Sequence, residues 1–268
     1  MSRFLVIGAT GNSGIAIVNS LLTNTENKIH IVVRNTTKAK DIFKQNYEKI
    51  EKVIEFEFGK TEDDTELLNS VKCCDYIISA LGPRLNDNPL VSDYISTKKM
   101  IELCEKCSNL KKFIYISSIL VTRPYHPISF LLNTMVPYCL GYKALTENLF
   151  RKSKLNYIIV RPGGLTDKPE INYVRVDQGD KRSGKISRPT LAKFITDMIS
   201  NNQEINRITI DVVAEKTEYK YEIPSNLKED DFDRDYITKD HFNATKNMTI
   251  LLYTILVFII VYLMHKFL

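Results

Sequence analysis

Cysteines and long apolar stretches are both scarce in this 268-residue chain. Its five cysteines are too few for a disulfide scaffold of this length, and their odd number is typical of a reducing compartment. A chain of this size buries a hydrophobic core without such cross-links. Only one apolar run is long enough to cross a bilayer, which excludes a protein with several membrane spans. With 44% hydrophobic and 26% charged residues, disorder throughout the chain is excluded as well.

We also expect no targeting segment, and the sequence shows neither a nucleic-acid-binding pattern nor spaced metal ligands. The apolar stretch at residues 4–9 is too short for a signal peptide and runs directly into glycines. The net charge of +5 is modest, and the lysines are scattered rather than interleaved with aromatic residues, so we expect no nucleic-acid partner. Cys104 and Cys107 have no second spaced pair to complete a zinc site, and we expect no metal.

The one long apolar run lies at the end of the sequence. Residues 247–264, NMTILLYTILVFIIVYLM, contain no Asp, Glu, Lys or Arg. As a helix this run spans roughly 27 Å, at the short end of what a bilayer needs. Apolar residues cover every face, whereas a buried helix of a soluble protein normally keeps a polar stripe. The run predicts a transmembrane tail anchor over 247–265 that contacts the lipid bilayer; the alternative is a C-terminal core helix.

A polar segment, residues 215–246, precedes the apolar run. It has nine Asp or Glu against six Lys or Arg and few aliphatic residues, so it cannot order itself by burial alone. We expect a solvated acidic tether; the alternative is that residues near Tyr219 and Tyr221 pack on the domain. The domain is then expected in the cytosol, and the short span favours the endoplasmic reticulum over the mitochondrial outer membrane.

Residues 1–214 alternate between short apolar, β-branched runs and helical patterns. The predicted strands are 3–8, 28–33, 53–58, 76–80, 112–117, 157–161 and 207–213. The predicted helices include 12–22, 37–45, 90–107, 143–154 and 188–200. Strands that are buried on both faces and joined by helices predict a single α/β domain with a Rossmann-type, doubly wound parallel sheet.

The strongest local motif is VIGATGNSG at residues 6–14. Gly8 permits a tight turn after the strand, Gly11 lets backbone N–H groups approach a pyrophosphate, and Gly14 lets the helix pack close to the strand. The helix beginning near Asn12 points its positive end at the phosphates. In this strand–loop–helix context the glycines predict a dinucleotide site.

The residue that follows the second strand indicates which dinucleotide binds. An NAD site prefers Asp or Glu there, to accept from the ribose 2′-hydroxyl. This sequence has Arg34, twenty residues after Gly14. A guanidinium pairs with a 2′-phosphate and stacks on adenine, and Lys38 would add charge. The sequence therefore favours NADP(H) over NAD(H).

Four stretches, in this order, resemble the atypical short-chain dehydrogenase/reductases, in particular the NmrA-like, NAD(P)-binding subgroup that includes flavin/biliverdin-IXβ reductase. They are GATGNSG, YIISALGP, KFIYISS and YKALTENLFRKSKLNYIIVRPGGLTD. The resemblance covers residues 3–213. It implies an oxidoreductase that transfers hydride between a nicotinamide and a substrate, and it leaves the substrate open.

The resemblance also implies the site residues. Those expected to bind the cofactor are Gly8, Thr10, Gly11, Asn12, Ser13, Gly14, Arg34, Ala80, Leu81, Gly82, Lys143, Pro162 and Gly163. Lys143 would hold the nicotinamide ribose, and Ser117 or Ser118 would hold the acceptor oxygen.

The catalytic pair of the family is incomplete in this sequence. The family pattern is Tyr-x-x-x-Lys, where the lysine lowers the pKa of the tyrosine for proton transfer. Cys139 stands four residues before Lys143, and the neighbouring Tyr138 or Tyr142 is a candidate substitute. Lys60 also stands where the family usually has an aspartate.

Two functions therefore stay open. One is a membrane-tethered NADP(H)-dependent oxidoreductase acting on a small or lipophilic acceptor. The other is a non-catalytic NADP(H) sensor or scaffold at a membrane, because the cofactor loop is complete and the catalytic pair is not. A nucleotide-sugar epimerase would need the missing tyrosine.

An apolar stretch at residues 128–140 separates the fifth strand from Lys143. Its alternatives are a buried helix or loop, a lid over an apolar substrate, and a second surface that touches the bilayer. It is interrupted by Asn133 and Pro137 and is too short to span a membrane.

Overall fold

A nine-stranded sheet organises the chain, and the computed structural model describes residues 1–83, 85, 87–169, 171–231 and 240–267. The strands are β1 (Arg3–Ile7), β2 (Lys28–Val33), β3 (Lys52–Glu55), β4 (Tyr76–Ser79), β5 (Lys112–Ile116), β6 (Tyr157–Pro162), β7 (Gly164–Thr166), β8 (Tyr173–Asp177), β9 (Lys185–Ser187), β10 (Ile208–Glu215) and β11 (Tyr221–Glu222). The α-helices are α1 (Asn12–Leu21), α2 (Thr36–Phe43), α3 (Thr65–Cys73), α4 (Ser96–Cys104), α5 (Pro127–Met135), α6 (Cys139–Lys152), α7 (Arg188–Asn201) and α8 (Asp240–Phe267). The described residues also form a 3₁₀ helix at Lys44–Lys49 and a π-helical segment at Leu90–Ile95.

The large sheet has the strand order β11-β8-β10-β6-β5-β4-β1-β2-β3. β1 lies between β2 and β4 and runs parallel to both, so that Val6 is opposite Ile31 on β2 and Ile78 on β4. The strand pairs of this sheet are parallel except for β8 and β10, which run antiparallel. The predicted doubly wound, mainly parallel α/β sheet is thus confirmed.

Apolar residues alternate between the two faces of the sheet. Phe4 and Val6 of β1 belong to the core that packs under α1 and α7, whereas Leu5 and Ile7 belong to the core under α3, α4 and α6. Strands β1, β2, β4, β5 and β6 are nearly continuous apolar runs, because each has buried residues on both faces.

Residues 215–231, expected to be part of a solvated tether, lie on the domain instead. Tyr221 packs edge-on against Phe194 of α7, and Tyr219 donates a 2.6 Å hydrogen bond to Asp197. Asp230 accepts hydrogen bonds from the backbone and hydroxyl of Thr209. Two tyrosine rings and the buried carboxylate of Asp230 therefore hold this polar segment on the domain, and composition alone does not predict these contacts. Residues 232–239 of the expected tether lie outside the described residues.

Helix α8 begins at Asp240, before the apolar run, and its first turns belong to the body. His241 and Ala244 are buried, and Phe242 stacks on Tyr138 with a ring-centroid distance of 5.0 Å. From residue 250 to 264 every side chain is exposed, unlike those of a core helix. Among the described helices, α8 alone is long and apolar enough to cross a membrane.

Candidate dinucleotide-binding site

The glycine loop joins β1 to α1 in a tight turn. Gly8 has a φ of +75°, which glycine adopts without strain, and its carbonyl accepts from the Gly11 N–H at 3.0 Å. A Cβ on Gly14 would lie 2.2 Å from the Gly8 carbonyl oxygen, so only glycine lets α1 approach the loop this closely. The first turn of α1, which includes Asn12 and Ser13, carries no acidic residue. The positive end of the helix is therefore free to face an anion.

A cleft of about 440 Å³ opens beside this loop, at the carboxyl ends of β1, β2 and β4. The predicted cofactor residues that line it are Gly8, Thr10, Gly11, Arg34, Ala80, Leu81 and Gly82. Phe58 and Val91 add apolar walls that sequence reasoning did not identify. This size and lining suit a ligand with a flat apolar group, such as an adenine ring.

Two cations lie on the wall of the cleft. Arg34 is exposed, and its Nη1 lies 3.3 Å from an oxygen of Asp87. Lys60, which also lines the cleft, pairs with Glu57 at 2.9 Å. Asn35, next to Arg34, caps α2 by accepting from the backbone N–H of Lys38 at 2.7 Å. Lys60, which departs from the family pattern, therefore lines the cleft together with Arg34. Lys38, predicted to add charge there, lies in the first turn of α2 and is not among the lining residues.

Lys143 lies at the carboxyl end of β5, outside the cleft lining. Its Nζ donates to Asp93 at 2.8 Å and to the carbonyl of Ile116 at 3.3 Å. Asp93 is fully buried; burial raises the pKa of its carboxyl group, against the opposing effect of Lys143. Sequence reasoning missed Asp93, which lies 50 positions away from Lys143 and carries no motif of its own.

Ser117, beside Lys143 at the end of β5, is bonded to the buried Glu147 of α6. Its hydroxyl donates to Glu147 Oε1 at 2.6 Å. Arg161 makes a two-pronged contact with the same carboxylate at 2.9 and 2.6 Å, and Arg151 adds a third bond at 3.0 Å. Burial alone would raise the pKa of Glu147, but Arg161 and then Arg151 outweigh it and lower the pKa to about 2. Ser118, by contrast, is half-buried.

The tyrosines near Lys143 are not arranged as in the family pair. The ring of Tyr142 lies edge-on against Phe242 of α8, at a centroid distance of 5.3 Å. Tyr115 of β5 lies beside Lys143, whose Nζ is 5.4 Å from the ring centroid. Burial raises the pKa of Tyr115, which is the opposite of what proton transfer requires. Burial likewise raises the pKa of Cys139, so its thiol stays protonated.

Pro162 and Gly163 lie where β6 ends, and packing accounts for the glycine. The N–H of Gly163 donates to the Val212 carbonyl at 2.9 Å. A Cβ on Gly163 would lie 2.6 Å from the carbonyl oxygen of Gly184. Gly163 therefore allows the small parallel sheet of β7 and β9 to approach the main sheet.

One cluster of possible metal ligands occurs in the described residues, at the amino ends of the strands. The ligand atoms of His30, Cys73 and Cys74 all lie within 4.8 Å of one another. Burial raises the pKa of the Cys74 thiol, and the guanidinium of Arg3 bonds to the Cys73 carbonyl beside it. A protonated thiol and a neighbouring cation do not favour a metal ion.

The fold, the glycine loop and the cleft define a dinucleotide-binding Rossmann protein. A sequence model of the NAD(P)H-binding family matches residues 8–202, and the chain belongs to this family. The resemblance inferred from the motifs is confirmed at this level.

Several known proteins are similar to this chain in sequence or in fold. An uncharacterised chloroplastic protein of Arabidopsis thaliana is 29% identical over 222 residues, covering 79% of this chain and 76% of its own length. A short-chain dehydrogenase/reductase from Veillonella parvula, solved in complex with NADP, has a TM-score of 0.64 at 20% identity, over 84% of this chain and 99% of its own. ChuY, an anaerobillin reductase from Escherichia coli O157:H7, has a TM-score of 0.65 at 19% identity, over 81% and 99%. The chain thus has an NAD(P)-binding, oxidoreductase-like fold.

Proposed function

We propose that the protein is an NADP(H)-dependent oxidoreductase tethered to a membrane through α8. The observation that carries the proposal is the cleft beside the glycine loop, which combines a helix amino terminus with Arg34 and Lys60. Two cations that line a dinucleotide cleft suit the 2′-phosphate that distinguishes NADP from NAD. A fold neighbour that binds NADP supports the same choice.

When bound, the cofactor would supply the hydride, and the chain's own share would be binding and positioning. Lys143, which bonds to Asp93 and to the Ile116 carbonyl at the end of β5, would hold the nicotinamide ribose. Ser118 is the better candidate for the acceptor oxygen, because the hydroxyl of Ser117 is bonded to Glu147. Pro162 and Gly163 would turn the chain beside the nicotinamide. The proton would come from solvent, since the ring of Tyr142 packs on Phe242.

The membrane span is proposed from the exposed apolar surface of α8. A helix with apolar residues exposed on all sides is unfavourable in water and matches a bilayer interior. The body would then face the cytosol, with the endoplasmic reticulum favoured over the mitochondrial outer membrane.

A non-catalytic NADP(H) sensor is the second candidate. It is favoured by the arrangement near Lys143, where Cys139 is a protonated thiol and Tyr142 is packed against α8.

An NADPH titration followed by a turnover assay distinguishes the enzyme from the sensor. Full-length protein in detergent should bind NADPH and oxidise it with at least one member of a panel of quinones, flavins and lipophilic aldehydes. A tight NADPH complex that turns over none of them would contradict the enzyme and support the sensor.

Arg34→Asp should weaken NADPH binding far more than NADH binding. Loss of a charge-assisted contact to the 2′-phosphate, with a carboxylate in its place, should raise the Kd for NADPH by about 10- to 100-fold. Fluorescence titration of both cofactors measures the effect. Lys38→Asp removes a neighbouring cation near the start of α2 and should change both affinities little. Equal losses for NADPH and NADH in Arg34→Asp would contradict the NADP assignment.

A further inference from the structure

The outward face of α5 is apolar, the reverse of an ordinary surface helix. Ile128, Leu131, Leu132 and Met135 are 49%, 55%, 37% and 55% exposed. Their spacing places all four side chains on one side of the helix. We call these four residues the α5 stripe.

The buried side of α5 is polar and hydrogen-bonded. The Ser129 hydroxyl donates to the carbonyl of Arg123 at 2.8 Å. The Asn133 carboxamide accepts from the Leu140 N–H at 2.9 Å and donates to Nδ1 of His241 at 3.2 Å. Polar contacts therefore hold α5 on the body, and the α5 stripe is left facing outward.

Asn133 also fixes α5 beside the base of α8. The other ring nitrogen of His241, Nε2, donates to the Val121 carbonyl, so the neutral ring is bonded on both sides. A few residues further along α8, the exposed apolar surface begins at Ile250. α5 packs directly on α8, so the α5 stripe belongs to a helix in contact with the one that carries the second exposed apolar surface.

We propose that the α5 stripe lies in the interfacial layer of the bilayer that α8 crosses, so that two elements hold the body against the membrane. This inference rests on the membrane span proposed above. Lipid is the occupant that fits, because residues 124–142 contain no Asp, Glu, Lys or Arg. Tyr125, just before α5, is 62% exposed, and its amphipathic ring suits the headgroup level.

This arrangement also orients the site. α6 carries Lys143 and begins directly after the α5 stripe, and its Tyr142 touches Phe242 at the base of α8. The end of the site where an acceptor would bind is therefore near the bilayer surface. An acceptor that partitions into lipid would reach it without crossing water.

The chain has no tryptophan, so a single introduced Trp reports its own surroundings. We would place full-length Leu131→Trp in phosphatidylcholine liposomes with and without brominated acyl chains, which quench Trp emission on contact. Leu131→Trp should be quenched, most strongly by lipids brominated near the headgroup end. Phe258→Trp, within the apolar part of α8, should be quenched most by lipids brominated deeper in the chain. Ile171→Trp is the matched control, because Ile171 is 43% exposed. Its neighbour Asn172 bonds to Thr190 of α7, and α7 packs on the opposite face of the sheet from α6.

The three probes separate the possible failures. Quenching of Phe258→Trp without quenching of Leu131→Trp would overturn the α5 contact and leave the span intact. Absence of quenching in both would overturn the span and this inference together. Blue-shifted but unquenched emission from Leu131→Trp would mean that protein, such as a second copy of this chain, covers the stripe, and would overturn the lipid assignment. Adding Leu132→Glu to Leu131→Trp should reduce quenching, while NADPH binding confirms that the body is folded.

Discussion

Replacing Glu147 with glutamine should destabilise the domain by about 3–5 kcal/mol, because two buried guanidinium groups would lose their shared carboxylate. Arg151 and Arg161 are both almost fully buried, and each makes at least one hydrogen bond to Glu147. An amide supplies one acceptor oxygen and no charge, so Arg151 would keep only its 3.7 Å ion pair with Asp230, and Arg161 only its 3.7 Å ion pair with Asp211. Urea unfolding of the full-length protein in detergent, followed by circular dichroism, measures the loss.

Glu102→Gln is the matched control for this substitution. Glu102 is also helical and ion-paired, but its carboxylate is half-exposed and 4.0 Å from Lys98. Such a surface pair contributes about 0–1 kcal/mol, so the control should unfold close to the wild type. A Glu147→Gln protein as stable as the control would show that the buried charges are not coupled as their geometry indicates.

Gly14→Ala should abolish tight NADPH binding and destabilise the fold by about 3 kcal/mol or more, as severe overpacking does. The new Cβ would lie 2.2 Å from the Gly8 oxygen and 2.7 Å from Cα of Ala9. Both are backbone atoms, so relief requires α1 to move away from the loop. That movement would withdraw the helix amino terminus from the phosphates. NADPH titration and thermal unfolding report the two effects.

Gly164→Ala provides a glycine control for the same assays. Its Cβ would meet Lys185 at an ordinary 3.6 Å, and the position has no positive φ. We therefore expect near-normal unfolding and NADPH affinity. NADPH binding of wild-type strength in Gly14→Ala would contradict the assignment of this loop as the phosphate site.

The parallel part of the sheet could be predicted from the sequence, and its far edge only in part. Strands β1, β2, β4, β5 and β6 have buried apolar residues on both faces, and this pattern marks their positions to within a few residues. In β8, buried residues alternate with partly buried or exposed ones, and β11 has only two residues. β7 and β9, which pair with each other in a separate sheet, have three residues each. Such strands form through long-range pairing, as when β8 aligns antiparallel to β10, and local pattern does not encode that pairing.

The same contrast between local and distant partners holds within the site. The glycine loop and Arg34 could be predicted from the residues next to them in the sequence, and both line the cleft in the structure. The bond from Ser117 to Glu147 joins residues 30 positions apart, which no spacing rule reveals. One signal for the buried charges was present, because Arg161 and Asp211 each interrupt an apolar strand. An ionisable side chain inside a buried strand demands a partner, although the sequence does not say which.

The two outer strands of the nine-stranded sheet bear on how this protein avoids aggregation. One edge is β11, which has only two residues, and the other is β3, which has four and begins with Lys52. A short edge strand offers few unpaired backbone groups, and a lysine there repels further strands. The apolar runs that would pair most readily with other chains are thus enclosed between β3 and β11, and neither edge of the sheet is a good template for intermolecular β-pairing.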